Sequence, residues 1–364
     1  METRIVFHID FDYFYAQCEE IRSPKLRSKP VCVCVFSDRG GDSGAIATAN
    51  YAARKYGVKS GIPIIFAKKR LEERKDAVFL PVDFEYYIEI SEKVMEIMKE
   101  NADIFEYVGK DEAYLDVTER VEGDFKKASH LAQQIKNSIR DKIKLSCSIG
   151  ISPNKLVSKI ASNFKKPDGL TIVSPDKIDE FLEPLKIRTI PGIGKKTDER
   201  FSEMNLETIQ DLKKLDVFTL NKEFGRKNGT YIYNAVRGID DEPVKKKEDS
   251  VQYSKIVTLK KDSKEYEFLS ENLRKLCNEV YDVVKKNNRM FKSIGVHFVQ
   301  SDLSNKSKSR MLRNPTLNLD ELQKNADQLL KEALENQTIT IRRLGVKVAE
   351  LSEIQVQSDI TNYF

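Results

Sequence analysis

Residues 4–9 (RIVFHI) form an apolar run that stops at Asp10, the pattern of a short buried strand. FDYFYAQCEE then reads as a helix, and RSPKLRSKP as a turn-rich connection. A second strand pattern, VCVCVF (31–36), runs into the Gly-rich loop SDRGGDSG (37–44). ATANYAARKYG is predicted as a helix closed by Gly57. Residues 85–99 place apolar side chains at helical spacing, and IFEYVG followed by DEAYLDV predicts a β-hairpin with Gly109, Lys110, Asp111 and Glu112 near its tip. A helix over 125–140, the small-residue strand LSCSIGIS and a helix from Asn154 to Asn163 complete a mixed α/β pattern.

From 174 to 240 the strand patterns vanish and short helices alternate with Gly-containing turns. The polar, charged segment IDDEPVKKKEDS (239–250) reads as an interdomain linker. Beyond it, SVQYSKIVTL is predicted as a strand. The next helix carries Leu269, Leu273, Leu276, Val280 and Val283 on one face, with an Asp262/Glu265 capping arrangement expected at its start. SIGVHFVQ and SKSRMLR give two strands, a helix holds Leu322, Ala326, Leu329 and Ala333, and TITIRRLGVKVAEL closes the series. That β-α-β-β-α-β order predicts a small sheet with two helices on one face.

A length of 364 residues leaves room for roughly two to four domains. No apolar run approaches the ~18 residues of a membrane span, and METRIVFHID meets an acidic residue too early for a signal peptide. The expectation is a soluble, intracellular protein without a membrane partner: cytoplasmic, at the nucleoid, or nuclear in a eukaryotic source. Cys18, Cys32, Cys34, Cys147 and Cys277 are odd in number and lack a Cys-x-x-Cys pair, which argues against disulfides and zinc. Cys32 and Cys34 alternate along a strand and are expected in a core. His8, His130 and His297 are too dispersed for a metal-ligand spacing. The net charge is +5, and residues 251–350 hold 19 Lys/Arg against 13 Asp/Glu. That module therefore carries essentially all the surplus positive charge, as a nucleic-acid footprint would.

Asp10 and Asp12 follow the first apolar strand, and Asp111 and Glu112 sit in the apolar hairpin. Carboxylates at the ends of buried strands are costly unless something answers their charge. A pair of hard divalent cations would do so, and would suit phosphoryl transfer.

HIDFDYFYAQCEE, SGAIATANYAARKYGVKSGIP, GKDEAYLDV, GISPNKLVSKIASNFKKPDG and IPGIGKKT resemble, in this order, the motifs of Y-family DNA polymerases of the DinB (DNA polymerase IV) type. The resemblance spans the chain and implies an α+β, multidomain right-hand polymerase. A mixed α/β palm would occupy 1–20 and 80–173, and small fingers 21–79. A helical thumb with a helix-hairpin-helix would occupy 174–238, the linker 239–250, a βαββαβ little finger 251–352 and a clamp-binding tail 353–364. The implied activity is low-fidelity, template-directed translesion synthesis from dNTPs onto a primer 3′-hydroxyl, with two Mg²⁺ ions (Mn²⁺ as a substitute) and no proofreading exonuclease.

By the same resemblance Asp10, Asp111, Glu112 and the carbonyl of Phe11 would bind metal, with Glu112, Asp10 and Asp111 catalytic. Tyr15 would be the steric gate against a 2′-hydroxyl. Tyr51, Arg54 and Lys166 would grip the triphosphate, and Ala45, Ala47 and Gly61 would roof the nascent base pair. This chain has Gly109 and Lys110 where the family places a Ser and an aliphatic residue, and strand alternation is expected to turn Lys110 away from Asp111.

Ile190 to Lys195 (IPGIGK) resembles a phosphate-binding hairpin through Gly192, Gly194 and Lys195, and Gly225–Gly229 (GRKNG) is a candidate second turn of that kind. Lys306, Lys308, Arg310, Arg313, Arg342 and Arg343 are candidates for sequence-independent phosphate contact. Gln357, Ile360, Tyr363 and Phe364 fit a peptide that binds a trimeric ring sliding clamp. The partners implied are primed template DNA, dNTP and the clamp, with the chain itself a monomer. Two other readings stand beside the polymerase. One is a different two-metal enzyme on a palm-like sheet, hinted at by Gly40-Gly41-Asp42. The other is a catalytically silent DNA- and clamp-binding adaptor.

Overall fold

The computed structural model describes residues 3–246, 250–335 and 339–354. Gln357, Ile360, Tyr363 and Phe364, expected to bind a clamp, lie outside them. The chain forms two compact units, one of residues 1–35 and 45–248, the other of 36–44 and 249–364.

The chain begins with strand β1 (Val6–Phe11) and helix α1 (Phe14–Arg22). Strands β2 (Val31–Phe36) and β3 (Gly44–Ala49) follow, then short helices α2 (Tyr51–Arg54) and α3 (Ile64–Arg70) and strand β4 (Val78–Pro81). These strands form a small sheet of order β3-β2-β4. Residues 47–49 are thus strand, not the start of a helix. The Ala-rich composition favours helix, but sheet pairing overrides that weak preference. Asn50 then caps α2, its side chain accepting the Ala53 N–H at 3.1 Å. All five cysteines are buried thiols outside any disulfide, Cys32 and Cys34 within this sheet's core.

Helix α4 (Phe84–Glu100) leads into the hairpin β5 (Ile104–Tyr107) and β6 (Glu112–Asp116), then α5 (Phe125–Ile143), β7 (Cys147–Ser152), α6 (Lys155–Phe164) and β8 (Leu170–Ile172). The main sheet runs β5-β6-β1-β7-β8. Strand alternation sorts its central strand: Ile5, Phe7, Ile9 and Phe11 enter the core with residues of α4 and α5 such as Tyr87, Met98 and Ile135. Val6, His8 and Asp10 therefore face the other way, toward α6. That helix lies close because Gly150 has no side chain; a Cβ there would overlap the Ser158 carbonyl oxygen.

Helices α7 (Ile178–Leu182), α8 (Lys195–Glu203), α9 (Ile209–Lys213), α10 (Val217–Phe224) and α11 (Arg226–Ala235) form a strand-free segment. The start of the expected linker is tied to the main sheet rather than free. Val244 is buried with Val6 and Tyr114, and Glu106 accepts the Lys245 N–H at 2.8 Å.

The second unit runs β9 (Gln252–Ser263), α12 (Tyr266–Lys286), β10 (Arg289–Gln300), β11 (Asn305–Thr316), α13 (Leu319–Leu334) and β12 (Ile341–Glu353), in the sheet order β11-β10-β12-β9. This is the expected β-α-β-β-α-β order. The expected capping arrangement is absent: Glu265 precedes α12 without a side-chain cap bond, and Asp262 belongs to β9.

Candidate functional site

Asp10 and Glu112 are direct cross-strand partners of β1 and β6, and the Phe11 N–H donates to the Asp111 carbonyl at 2.9 Å. The hairpin thus brings the three acidic residues together at one end of the main sheet. Each carboxylate has a different environment. Asp10 pairs with the ammonium of Lys166. Glu112 accepts from Lys159 of α6 at 2.6 Å and lies 3.3 Å from His8 Nε2. The His8 hydrogen bond, then Lys159, hold the Glu112 carboxyl down at about 2 against partial burial. Asp111 is pushed up, by desolvation in the cleft and then by the charges of Asp10 and Glu112.

His8 is fully buried, which lowers its pKa, and its Nδ1 lies 2.7 Å from Ser162 Oγ. A ring that donates from Nε2 can bond Glu112, while the Ser162 hydroxyl donates to the Lys159 carbonyl at 2.9 Å. Lys159 and His8 were not singled out in the sequence as site residues. The available signal was Lys155 and Lys159, four residues apart on a largely buried helix. Lys155 has its own carboxylate, donating to Glu106 at 2.7 Å.

Among the described residues, no three His, Cys, Asp or Glu side chains converge as a ready-made metal cluster. Two of the acids are instead paired with lysines, Asp10 with Lys166 and Glu112 with Lys159. The donor set nonetheless suits a hard cation: three carboxylates and a backbone carbonyl, with Asp111 carrying the mutual repulsion.

Around the acids stand the groups expected to meet a nucleotide. The Arg54 guanidinium lies 4.8 Å from the Tyr51 ring and donates to the carbonyls of Ala49 (2.8 Å) and Asp12 (3.1 Å). The Tyr15 ring stacks on Tyr87 with centroids 4.6 Å apart and planes 16° apart. The charge of Asp111 helps raise its hydroxyl pKa after partial burial, so the ring lies close to the acidic cluster. Ala45 and Ala47 share one face of β3 opposite buried Ile46. Gly61, at φ 87°, donates its N–H to the Ile46 carbonyl at 2.8 Å. Lys110 turns to α4, its ammonium 4.6 Å from the Phe84 ring centroid.

Gly192 (φ 85°) and Gly194 precede α8, with Lys195 its first residue. A Cβ on Gly194 would meet nothing within 4 Å, leaving that backbone open. The GRKNG segment differs: Gly225 is the cap residue before α11, whereas Gly229 is buried against α10, where a Cβ would lie 2.5 Å from the Asn221 nitrogen. Gly229 serves helix packing.

The second unit's sheet sorts the basic candidates by face. Lys306, Lys308 and Arg310 pair with Phe298, Val296 and Ile294, whose buried side chains contribute to the core under α12 and α13. Arg310 accordingly donates to Gln328 and Glu332 of α13, at 2.6 Å each. Arg343 instead pairs with Val299 on the opposite face, Arg313 alternates onto that face, and Arg342 lies beside the register shift at Ile341. Lys347 and His297, not singled out in the sequence, also lie on the opposite face. His297 covers Gly345, and Lys347 passes over Gly295.

A sheet with an acidic end, faced by cationic and aromatic groups and followed by a helical segment and a βαββαβ unit, defines a right-hand nucleic-acid polymerase. Residues 9–163 match the impB/mucB/samB family, residues 188–240 the thumb domain of DNA polymerase-iota, and residues 250–360 the impB/mucB/samB family C-terminal domain. The chain is 79% identical over its full length, and that of the relative, to "DNA polymerase IV" of Nitrosopumilus maritimus (strain SCM1). It is 41% identical, again over the whole of both chains, to that of Methanosarcina acetivorans. Among solved structures, a "Y-family DNA polymerase chimera Dbh-Dpo4(243-245)-Dbh" is 35% identical with a TM-score of 0.89, covering 96% of this chain and 100% of that one. The "insertion ternary complex of Dbh DNA polymerase" is 35% identical over the same shares, with a TM-score of 0.69. The chain belongs to the impB/mucB/samB family, the Y-family DNA polymerases, and is a DNA-directed DNA polymerase.

Proposed function

We propose that the chain copies primed template DNA, including damaged template, by nucleotidyl transfer at Asp10, Asp111 and Glu112. The observation that carries this is the register of β1 against β6, which places Asp10 beside Glu112 with Asp111 at the adjoining turn. Divalent cations, Mg²⁺ or Mn²⁺, held by these carboxylates and the Phe11 carbonyl would activate the primer hydroxyl and offset charge on the leaving pyrophosphate.

The chain's own groups do the rest. Tyr51, Arg54 and Lys166 donate to triphosphate oxygens, stabilising charge that develops on transfer. Lys166 exchanges Asp10 for a phosphate as the nucleotide enters, so one ammonium serves both states. The Tyr15 ring excludes a 2′-hydroxyl. Ala45, Ala47 and Gly61 present little bulk above the new base pair, so its geometry is weakly checked and damaged bases are admitted.

We assign the palm to 1–20 and 80–173, the fingers to 21–79, the thumb to 174–238, the linker to 239–250 and the little finger to 251–352. DNA is held through Gly192, Gly194 and Lys195 at the start of α8, and through the basic residues of the second unit's sheet. The 353–364 peptide, with Gln357, Ile360, Tyr363 and Phe364, is read as the clamp ligand.

Primer extension across a template abasic site tests the translesion reading. The wild type is expected to insert opposite the site and extend beyond it, and Ala47→Val to lose bypass while copying undamaged template. Arrest of the wild type at the abasic site, with undamaged template copied, would overturn it.

A further inference from the structure

We infer that Phe84, held in place by Lys110, fixes the Tyr15 ring and so sets the strength of discrimination between deoxyribo- and ribonucleotides. This deepens, and rests on, the reading of Tyr15 as the sugar gate.

Two rings hold Tyr15 besides its chain neighbour Phe14. Tyr87 forms a rigid floor: it is fully buried, stacks at 4.6 Å, and donates its hydroxyl to Glu19 at 2.7 Å. Phe84 meets Tyr15 edge-on, with centroids 6.1 Å apart and planes at 80°. Unlike Tyr87, Phe84 is 44% exposed, so burial does not fix its rotamer. It is the first residue of α4, whose cap Asp83 accepts the Tyr86 N–H at 3.2 Å and an Arg22 bond at 2.7 Å. The backbone there is anchored while the ring remains free to swing.

Lys110 supplies the missing restraint. Its ammonium stands over the Phe84 ring at 4.6 Å, within the range of a cation–π contact. Its backbone is held in turn, because the carbonyl accepts from Ser91 Oγ at 2.6 Å and Ser91 is buried. Lys110 also immediately precedes Asp111 in the catalytic hairpin. An aliphatic residue at 110 could not hold the ring this way. Lys110 thus links the catalytic hairpin to the gate through Phe84. Without that restraint Phe84 rotates away, Tyr15 tilts on Tyr87, and space opens where a 2′-hydroxyl would lie.

The test is single-nucleotide insertion by the full chain on primed DNA. It compares kcat/KM for a dNTP and its matching rNTP in the wild type, Tyr15→Ala, Phe84→Ala, Phe84→Leu, Lys110→Ile, Lys110→Arg and Phe84→Ala/Lys110→Ile. Tyr15→Ala is expected to collapse the selectivity. Both Phe84 variants are expected to lower it about tenfold, the scale of an aromatic edge contact, with dNTP insertion near wild type. Lys110→Ile is expected to lower it about two- to fivefold, the scale of an exposed cation–π contact, and Lys110→Arg to preserve it. The double variant should fall no further than Phe84→Ala alone, since the lysine acts through the ring. Unchanged selectivity in both Phe84 variants, with Tyr15→Ala collapsed, would overturn this inference and leave the gate standing. Unchanged selectivity in Tyr15→Ala would remove the gate reading itself. Independent, additive losses at 84 and 110 would overturn the role given to Lys110.

Discussion

The Asp12 carboxylate accepts the backbone N–H of Asp168 at 2.9 Å, two residues beyond Lys166. Asp12 is only 3% exposed, and its remaining partners are neutral: Ser148 Oγ at 2.6 Å and Ser146 Oγ at 3.0 Å. From the other side the buried Lys136 donates to the Gly169 carbonyl at 3.0 Å. The loop that aims Lys166 at Asp10 is therefore fixed by a carboxylate just past the end of the strand that carries Asp10.

Replacing that anchor should have two effects. Asp12→Ala leaves buried donors without an acceptor, which typically costs about 1–3 kcal/mol each, so a loss of about 3 kcal/mol in urea unfolding is expected. The KM for dNTP should rise several-fold more than kcat falls, because Lys166 loses its aim. Asp12→Asn keeps one acceptor oxygen and should show the milder form of both changes. An unaltered KM in a folded Asp12→Ala would separate the loop from nucleotide binding.

The Glu112 environment sets a pH dependence in metal-free protein. Its carboxyl is held at about 2 by His8 and Lys159, below its ordinary 4.5. A group depressed on folding contributes stability above its unfolded pKa and loses it as pH falls through the folded value. The wild type should thus lose stability between about pH 4.5 and 2 more steeply than Glu112→Gln, measured as unfolding free energy against pH. Parallel curves would show that Glu112 gains nothing from its partners.

The two faces of the second unit's sheet should separate in DNA binding. Arg343→Ala and Lys347→Ala are each expected to weaken binding similarly across sequences and to reduce the salt slope by about one. Arg310→Ala should instead lower the unit's stability, because its guanidinium serves Gln328 and Glu332. Fluorescence anisotropy at several salt concentrations, beside thermal unfolding, checks both halves.

The sequence was informative where periodicity and burial coincide. The apolar run ending at Asp10, the hairpin around Asp111 and the order of the second unit could all be read from apolar runs and their periodicity. Local propensity misled at Ala47–Ala49, where strand pairing outweighs the alanine preference for helix. Cross-strand register could not be read either. It decides that Lys306, Lys308 and Arg310 share the helix-covered face while Lys347 joins Arg343 on the other. His8 and Lys159 escaped notice for a similar reason: their partner Glu112 is more than 40 residues from either in sequence, and only the fold joins them. Lys110 stood out as a departure from the family, but its partner Phe84 is visible only in three dimensions.

The measurement that bears most directly on the central claim is single-turnover dNTP insertion by the wild type and Asp111→Ala on saturating primed DNA with Mg²⁺, beside DNA affinity by anisotropy. The expected result is template-directed insertion by the wild type, a loss of at least about a thousandfold in Asp111→Ala, and unchanged DNA affinity, as for removal of a group that acts in the transition state. Insertion by Asp111→Ala at the wild-type rate would contradict the assignment of nucleotidyl transfer to Asp10, Asp111 and Glu112.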